Sequence, residues 1–147
     1  MDEITLYTDG ACSNNPGPGG WGVMLLYRDQ KKELSGFVPD TTNNRMELTA
    51  VIMGLSALKT DGVPVTVYTD SKYVVDAFNQ NWITKWQNNG WRNSDRKPVA
   101  NRDLWEQLLP LHQKYQPRYI WVKGHSNNPY NNRCDEMAVQ AIKENLN

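Results

Sequence analysis

Apolar and polar residues alternate at the start of the chain, which predicts a β-strand over residues 4–8 that ends at Asp9. A run of Asn, Pro and Gly over residues 14–20 is typical of a turn. Two further strands are predicted over residues 21–27 and 32–38, with a short polar connection between them. Since short connections join antiparallel neighbours, these three strands predict a meander.

The apolar residues change to a helical spacing after Asn44, with Leu48, Val51, Ile52, Leu55 and Leu58 on one face. Residues 63–69 predict a buried strand that ends at Asp70, and a helix follows from Ser71. The next segment, to Pro98, is predicted to be irregular or a broken helix. A helix around residues 104–111, a strand over 118–123, a loop over 124–129 and a helix from about Tyr130 complete the chain.

Three strands followed by an alternation of strands and helices predict an α/β fold with a mixed sheet flanked by helices. The length of 147 residues predicts one domain over residues 1–147. A membrane span and a secretion signal are not expected, because no long apolar run is present. Cys12 and Cys134 form no CxxC pair, which favours free thiols in a reducing cytoplasm over a zinc site.

Four carboxylates stand where predicted elements begin or end. Asp9 and Asp70 close strands, and Glu47 and Asp135 lie early in helices. Strand ends and helix starts meet at one edge of such a sheet, where the carboxylates would repel one another unless cations were bound. Mg²⁺ or Mn²⁺ suits a site made of oxygen ligands, and two such ions could assist the displacement of a phosphodiester.

Each acidic residue also has a simpler interpretation. Asp70 could cap a helix, Asn44 and Glu47 could form a capping box, Asp9 could belong to a turn, and Asp135 could be a solvated charge. His125 follows a glycine in the predicted loop, which suits proton transfer near Asp135, although a single histidine is often structural. The GxGxxG match at 17–22 leads into a strand, so a nucleotide cofactor is not expected.

The formal net charge is zero, but the distribution of charge is uneven. Residues 81–102 contain five bases and one acid, and four tryptophans lie in or beside this segment: Trp82, Trp86, Trp91 and Trp105. A basic, aromatic-rich segment favours a nucleic-acid partner. Core packing is the simpler interpretation of the tryptophans and is preferred for Trp86 and Trp91.

Six ordered motifs resemble the ribonuclease H family, specifically its bacterial type 1 enzymes. They are Tyr-Thr-Asp-Gly (7–10), Asn-Pro-Gly-Pro-Gly-Gly-Trp-Gly (15–22), Thr-Asn-Asn-Arg-Met-Glu-Leu (42–48), Thr-Asp-Ser-Lys-Tyr-Val (69–74), Trp-Val-Lys-Gly-His (121–125) and Asn-Asn-Arg-Cys-Asp-Glu (131–136). The resemblance implies the five-stranded mixed sheet of that family. It also implies hydrolysis of the RNA strand of an RNA/DNA hybrid, leaving 5′-phosphate and 3′-hydroxyl ends.

The resemblance further implies roles for individual residues. Two Mg²⁺ ions, replaceable by Mn²⁺, would be held by Asp9, Glu47, Asp70 and Asp135, with His125 as an auxiliary catalytic residue. The minor groove of the hybrid would contact Cys12, Asn15, Asn43 and Asn44. The DNA strand would contact Lys72, Trp82, Lys85, Arg92 and Trp105, most of them in the basic protrusion formed by residues 82–102.

Two departures from the family pattern are visible. Gln87-Asn88-Asn89 stands where many relatives carry lysine or arginine, and Asn132 stands where relatives often carry an acid. Three alternatives compete with this function: another nuclease of the same fold, a non-catalytic module that binds hybrids, and a fragment of a reverse transcriptase. Intact carboxylates disfavour the second, because clustered acids repel phosphate. A monomer is expected.

Overall fold

The computed structural model, which describes residues 2–124 and 127–146, contains a five-stranded mixed sheet. Its strands are β1 (Ile4–Cys12), β2 (Gly17–Tyr27), β3 (Gln30–Thr41), β4 (Val65–Thr69) and β5 (Arg118–Trp121). They lie in the order β3-β2-β1-β4-β5. The first three strands pair antiparallel, whereas β4 pairs parallel with both β1 and β5. The predicted mixed sheet is therefore confirmed.

Five helices accompany the sheet within the described residues: α1 (Asn43–Ser56), α2 (Lys72–Asn79), α3 (Trp82–Asn88), α4 (Arg102–Tyr115) and α5 (Pro129–Asn145). Three of them begin after a polar residue that caps free backbone N–H groups. Thr42 accepts a hydrogen bond from Arg45 N, Ser71 from Val74 N, and Asn128 from the backbone N–H groups of Tyr130 and Asn131.

The strands β1 and β2 are longer than the sequence predicts. β1 continues through Asp9 to Cys12, and β2 begins at Gly17, inside the segment predicted to be a turn. Packing explains the difference. A Cβ atom added to Gly20 or Gly22 would lie 2.2 Å from Ala138 O or 2.4 Å from Cys134 O, respectively. These glycines therefore let α5 lie directly against the backbone of β2, and this contact overrides their preference for turns.

The sheet is covered on both faces. Alternate residues of β1 point to opposite sides, so Leu6 packs with Leu48 and Leu55 of α1, whereas Tyr7 packs with Met24 and Cys134 on the side of α5. Helix α4 joins the first of these layers through Leu104, Trp105 and Leu108. A membrane-spanning helix is not found among the described residues.

Candidate active site

The carboxylates of Asp9, Glu47 and Asp70 converge at one edge of the sheet. One oxygen from each lies within 4.8 Å of the others. Asp9 lies within β1, and Asp70 directly follows β4, the parallel neighbour of β1. Glu47 is in α1, which packs against β1. The sheet therefore positions two of the carboxylates, and a helix packed on it brings the third.

A glycine permits the close approach of Glu47 to Asp9. A Cβ atom on Gly10 would lie 2.5 Å from Glu47 N, which is too close for any other residue. The same Gly10 N–H donates a hydrogen bond of 2.9 Å to Asp9 Oδ1. Gly10 thus brings the backbone of β1 against the first turns of α1 and orients one carboxylate.

The helix caps do not involve these acids. Ser71, not Asp70, caps α2, and Thr42 caps α1, so Glu47 does not occupy the capping-box position that its spacing from Asn44 indicates. Glu47 Oε1 and Asp70 Oδ1 are buried without a hydrogen-bond partner among the described residues. Buried oxygens in native proteins are normally satisfied, so these two point to a ligand.

Electrostatics supports the same conclusion. Asp9 and Glu47 are only 4% and 6% exposed. Burial, followed by the negative charges of Asp70 and Asp135, raises the pKa of Asp9 from 3.8 to about 8. Burial and the charges of Asp9 and Asp70 likewise raise the pKa of Glu47 well above its usual value. Ionised carboxylates at this spacing require a cation between them.

Asp135 lies half-buried in the second turn of α5, outside the group of three. Its charge contributes to the raised pKa of Asp9, so it faces the same site. The contact of Cys134 O with Gly22 fixes how closely this part of α5 approaches β2. Asp135 therefore joins the site from the opposite layer to Glu47.

His125 lies outside the described residues, so its predicted role is not tested. The preceding residue, Gly124, lies beside the site: a Cβ atom there would be 2.6 Å from Asp70 Oδ2. This contact was not apparent from the sequence, where Gly124 marked only the start of a loop.

The chemistry of the cluster fits a hard divalent cation. The converging atoms are carboxylate oxygens, the ligands that Mg²⁺ and Mn²⁺ prefer. The unpartnered oxygens of Glu47 and Asp70 and the raised pKa values of Asp9 and Glu47 all follow if the carboxylates normally bind a metal.

The four residues predicted to contact the minor groove lie together near the start of α1. Asn15 Oδ1 accepts a hydrogen bond of 2.9 Å from Asn43 N, and Cys12 Sγ lies 3.4 Å from Thr41 O. Asn43 and Asn44 are exposed in the first turn of α1, the helix that also carries Glu47. The exposed amides therefore lie on an element that contributes to the carboxylate site.

The basic protrusion forms a pocket of about 370 Å³ lined by two half-buried tryptophans, Trp82 and Trp86, and by Lys85 and Arg92. Lys85 and Arg92 are exposed. Lys72 is also exposed, at the first position of α2 and two residues after Asp70. These cations are available to solvent and hence to phosphates.

The structure contradicts the substrate contact predicted for Trp105. This side chain is completely buried, and its indole N–H donates a hydrogen bond of 3.1 Å to the hydroxyl of Tyr73. It packs against Trp86 and Phe78 in the core. The helical spacing of Leu104 and Leu108 already placed Trp105 near a buried face, and burial prevailed over a surface role.

Solved structures with the same fold identify the architecture. A crystal structure of LC9-RNase H1, a type 1 RNase H with the type 2 active-site motif, matches with a TM-score of 0.84 and 29% identity, covering 98% of this chain and 74% of that one. LC11-RNase H1 in complex with an RNA/DNA hybrid matches with a TM-score of 0.76 and 23% identity, covering 98% and 99%. The protein therefore has the ribonuclease H-like fold.

Sequence comparisons identify the family. The family model for RNase H matches residues 1–143. A ribonuclease H from Thermoanaerobacter sp. (strain X514) is 55% identical over 145 residues, which cover 99% of this chain and 93% of that relative. The chain belongs to the ribonuclease H family, whose members are metal-dependent endoribonucleases, and the carboxylate cluster can hold a metal ion. The family resemblance found in the motifs is confirmed.

Proposed function

We propose that this protein is an endonuclease that hydrolyses the RNA strand of RNA/DNA hybrids and leaves 5′-phosphate and 3′-hydroxyl ends. The observation that carries the proposal is the buried convergence of Asp9, Glu47 and Asp70, with unpartnered oxygens on Glu47 and Asp70. Such a cluster is unfavourable without cations and suited to phosphodiester chemistry with them. Family membership narrows that chemistry to the RNA of a hybrid.

Asp9, Glu47, Asp70 and Asp135 would hold two Mg²⁺ ions, for which Mn²⁺ can substitute. When bound, such ions would polarise the phosphate, activate a water molecule and stabilise the leaving oxygen. The protein keeps the ligands in place beforehand: Gly10 N–H orients Asp9, and packing of α1 on β1 positions Glu47. His125 would transfer a proton near Asp135 without being a ligand.

Recognition of the RNA strand would come from Cys12, Asn15, Asn43 and Asn44. The exposed amide groups of Asn43 and Asn44 can donate to and accept from 2′-hydroxyls, which distinguish RNA from DNA. Helix α1 carries both these asparagines and Glu47. The residues that would recognise the RNA strand and one carboxylate of the site therefore lie on one rigid element. The related fold of LC11-RNase H1 has been solved with an RNA/DNA hybrid, which agrees with this substrate.

The DNA strand would be bound by Lys72, Lys85 and Arg92, with Trp82 packing against its sugars. Exposed cations contribute to binding by releasing counterions from phosphates. The exposed Gln87, Asn88 and Asn89 beside this pocket add no charge, so fewer phosphates are neutralised here than in relatives with bases at these positions.

Two further expectations concern the protein as a whole. We propose one catalytic domain that acts as a monomer in the cytoplasm. Cys12 and Cys134 are free thiols on different elements, as a reducing compartment would allow.

The test is incubation with Mg²⁺ and end-labelled RNA/DNA, RNA/RNA and DNA/DNA duplexes. Cleavage of the RNA in the hybrid alone, abolished by chelation and by Asp70→Asn, is expected. Cleavage of all three duplexes would indicate another nuclease of the same fold. Tight binding of the hybrid without any cleavage would indicate a binding module, and either result contradicts the proposal.

A further inference from the structure

Trp121, the last residue of β5, is a large apolar side chain that remains 42% exposed beside the candidate active site. We propose that Trp121 is a positioning residue: its indole N–H holds the main chain of Asp70, and its ring face holds the ammonium of Lys72 at the rim of the site. The inference rests on the proposed function, because it assigns to one side chain the alignment of a metal ligand and of a phosphate-binding cation.

The first contact is a hydrogen bond from Trp121 Nε1 to Asp70 O, 3.1 Å long. Asp70 lies between the end of β4 and the cap of α2, where its carbonyl belongs to neither a strand ladder nor a helix. The preceding carbonyl, of Thr69, accepts from Val122 N at 2.9 Å. Trp121 and Val122, which are consecutive, therefore donate to the consecutive carbonyls of Asp70 and Thr69. These two hydrogen bonds hold the main chain where it carries the Asp70 side chain.

The chain continues from Trp121 beside Asp70. Gly124 lies so close to Asp70 that a Cβ atom there would be 2.6 Å from Oδ2. Trp121, at the end of β5, thus contacts Asp70 at its carbonyl, and Gly124 lies against its carboxylate. A shift of the Trp121 ring would be transmitted to the Asp70 backbone through the hydrogen bond, and a displacement of about 1 Å at a reacting group can reduce the rate by about 100-fold.

The second contact is a cation–π interaction. Lys72 Nζ lies 4.8 Å from the centroid of the Trp121 ring. Lysine has a flexible stem, so an exposed ammonium is normally spread over many positions. The electron-rich face of tryptophan attracts a cation and favours one of these positions. Lys72 forms no salt bridge within the described part of the chain, so its charge stays available for a phosphate.

A purely structural role explains the two contacts less well. The ring leaves much of its surface in water, so burial contributes less here than for Trp105, which is completely buried. Both polar features of the ring, the N–H edge and the negative face, are engaged by residues of one short segment, Asp70 and Lys72. A smaller apolar residue could complete β5 but would provide neither contact.

The test compares three variants that separate the two contacts. Trp121→Phe keeps a ring face and removes the N–H donor. Lys72→Gln removes the ammonium and keeps the donor, and Trp121→Leu removes both features of the ring.

The chain offers a matched control on α4. There Tyr115 donates from its hydroxyl to Leu58 O at 3.2 Å, and Lys114 Nζ lies 5.2 Å from the Tyr115 ring. Tyr115→Phe and Lys114→Gln therefore remove the same two kinds of contact away from the carboxylates.

Turnover should separate the variants. For Trp121→Phe we expect kcat to fall by about 10- to 100-fold, with KM for the hybrid changed by less than about twofold. For Lys72→Gln we expect an unchanged kcat, a KM raised about threefold to tenfold, and a log–log salt slope flatter by about one. Trp121→Leu should show both effects, and the two control variants neither.

A readout without turnover completes the experiment. Calorimetry of Mn²⁺ binding to the substrate-free protein should show weaker binding in Trp121→Phe, by about threefold or more, and no weakening in Lys72→Gln or Tyr115→Phe. If Trp121→Phe lowers Tm as Tyr115→Phe does but keeps kcat and Mn²⁺ affinity, the ring is only structural and the proposal is wrong. In Trp121→Phe, a raised KM with unchanged kcat would also overturn the proposal, because the ring would then contact substrate directly. Failure of the parent to cleave hybrids would refute the proposed function, while the Mn²⁺ titration would still decide the role of Trp121.

Discussion

Two features of the carboxylates in this site, their burial and their closeness to one another, destabilise the folded protein when no metal is bound. Asp9 and Glu47 are buried, and they face Asp70 within 4.8 Å. Each condition disfavours the ionised form, and their sum explains the raised pKa of both residues. Removal of one charge should therefore affect activity and stability in opposite directions.

Asp70→Asn tests this at the scale of one residue. It keeps the side-chain shape and removes a charge, so kcat should fall by about 10³-fold or more. In metal-free buffer, Tm should hold or rise, because repulsion with Asp9 and Glu47 is relieved. Asp76→Asn, which removes a half-buried carboxylate from α2, is the matched control and should keep full activity. An Asp70→Asn protein that unfolds early yet keeps specific activity would contradict the assignment.

Trp82 and Trp105 show that the sequence alone does not decide whether a tryptophan lies at the surface or in the core. The sequence placed both Trp82 and Trp105 near the substrate, but Trp105 is completely buried and Trp82 half-buried. A tryptophan in an amphipathic helix can face either way, and only the packing of its own helix, α3 for Trp82 and α4 for Trp105, decides which. The approach of Asp9, Glu47 and Asp70, by contrast, was predictable, because strand ends and helix starts meet at one sheet edge whatever the packing details.

At the scale of elements, the close packing of α5 on β2 depends on glycines of β2, which have no side chain. Gly22→Ala would place a Cβ atom 2.4 Å from Cys134 O, which adjoins Asp135. We expect α5 to shift and kcat to fall about 10-fold or more, with a lower Tm. Gly62→Ala is the control for loss of a glycine, since nothing lies near its Cβ position; its positive φ still costs stability but should leave kcat unchanged. Equal kcat in Gly22→Ala and Gly62→Ala would show that the distance between α5 and β2 does not affect catalysis.

The basic protrusion can be tested as an element through salt dependence. Lys85→Ala with Arg92→Ala should raise KM, flatten the log–log salt slope by up to about two, and leave kcat nearly unchanged. Lys59→Ala with Lys114→Ala removes two exposed cations elsewhere and controls for net charge.

The converse variant adds charge at the departures from the family pattern. Gln87→Lys with Asn88→Lys should lower KM at moderate salt, because each new cation can neutralise one phosphate. KM should be measured from about 50 to 200 mM salt. If both protrusion variants follow the parent at every salt concentration, this segment does not bind nucleic acid.

Element boundaries were less predictable than element types. All five strands were found in the sequence, but β2 begins within a glycine-rich segment that reads as a turn. Local propensity cannot show that α5, more than 100 residues later, requires bare backbone there. The hydrogen bond from Trp121 to Asp70 was missed for the same reason: it joins residues 51 positions apart, and no local pattern marks it.

At the scale of the whole molecule, the site should control how stability depends on pH. The folded state raises the pKa of Asp9 from 3.8 to about 8, so it retains a proton that the unfolded state loses. Between these values stability falls as pH rises. His112 acts in the opposite direction: burial lowers its pKa from 6.5, so its contribution increases with pH and is complete above about 6.5. Above that pH the carboxylates dominate.

In metal-free buffer, the free energy of unfolding should therefore decrease from about pH 6.5 to about pH 8. Urea unfolding at several pH values in this interval measures the slope. Addition of Mg²⁺ should remove it, because bound cations favour the ionised carboxylates, and Asp9→Asn should flatten it without metal. A slope that survives both changes would have to originate elsewhere in the protein.

The carboxylates reach the site from both sides of the sheet, Glu47 with α1 and Asp135 with α5. Under the proposed ligand set, bound ions would form a removable cross-link between the two layers that cover opposite faces of the sheet. The layers that contain α1 and α5 would then be held together when metal is bound and would open independently when it is absent. Amide hydrogens of α5 should exchange with solvent more slowly after Mg²⁺ is added without nucleic acid, and Asp135→Asn should abolish that slowing.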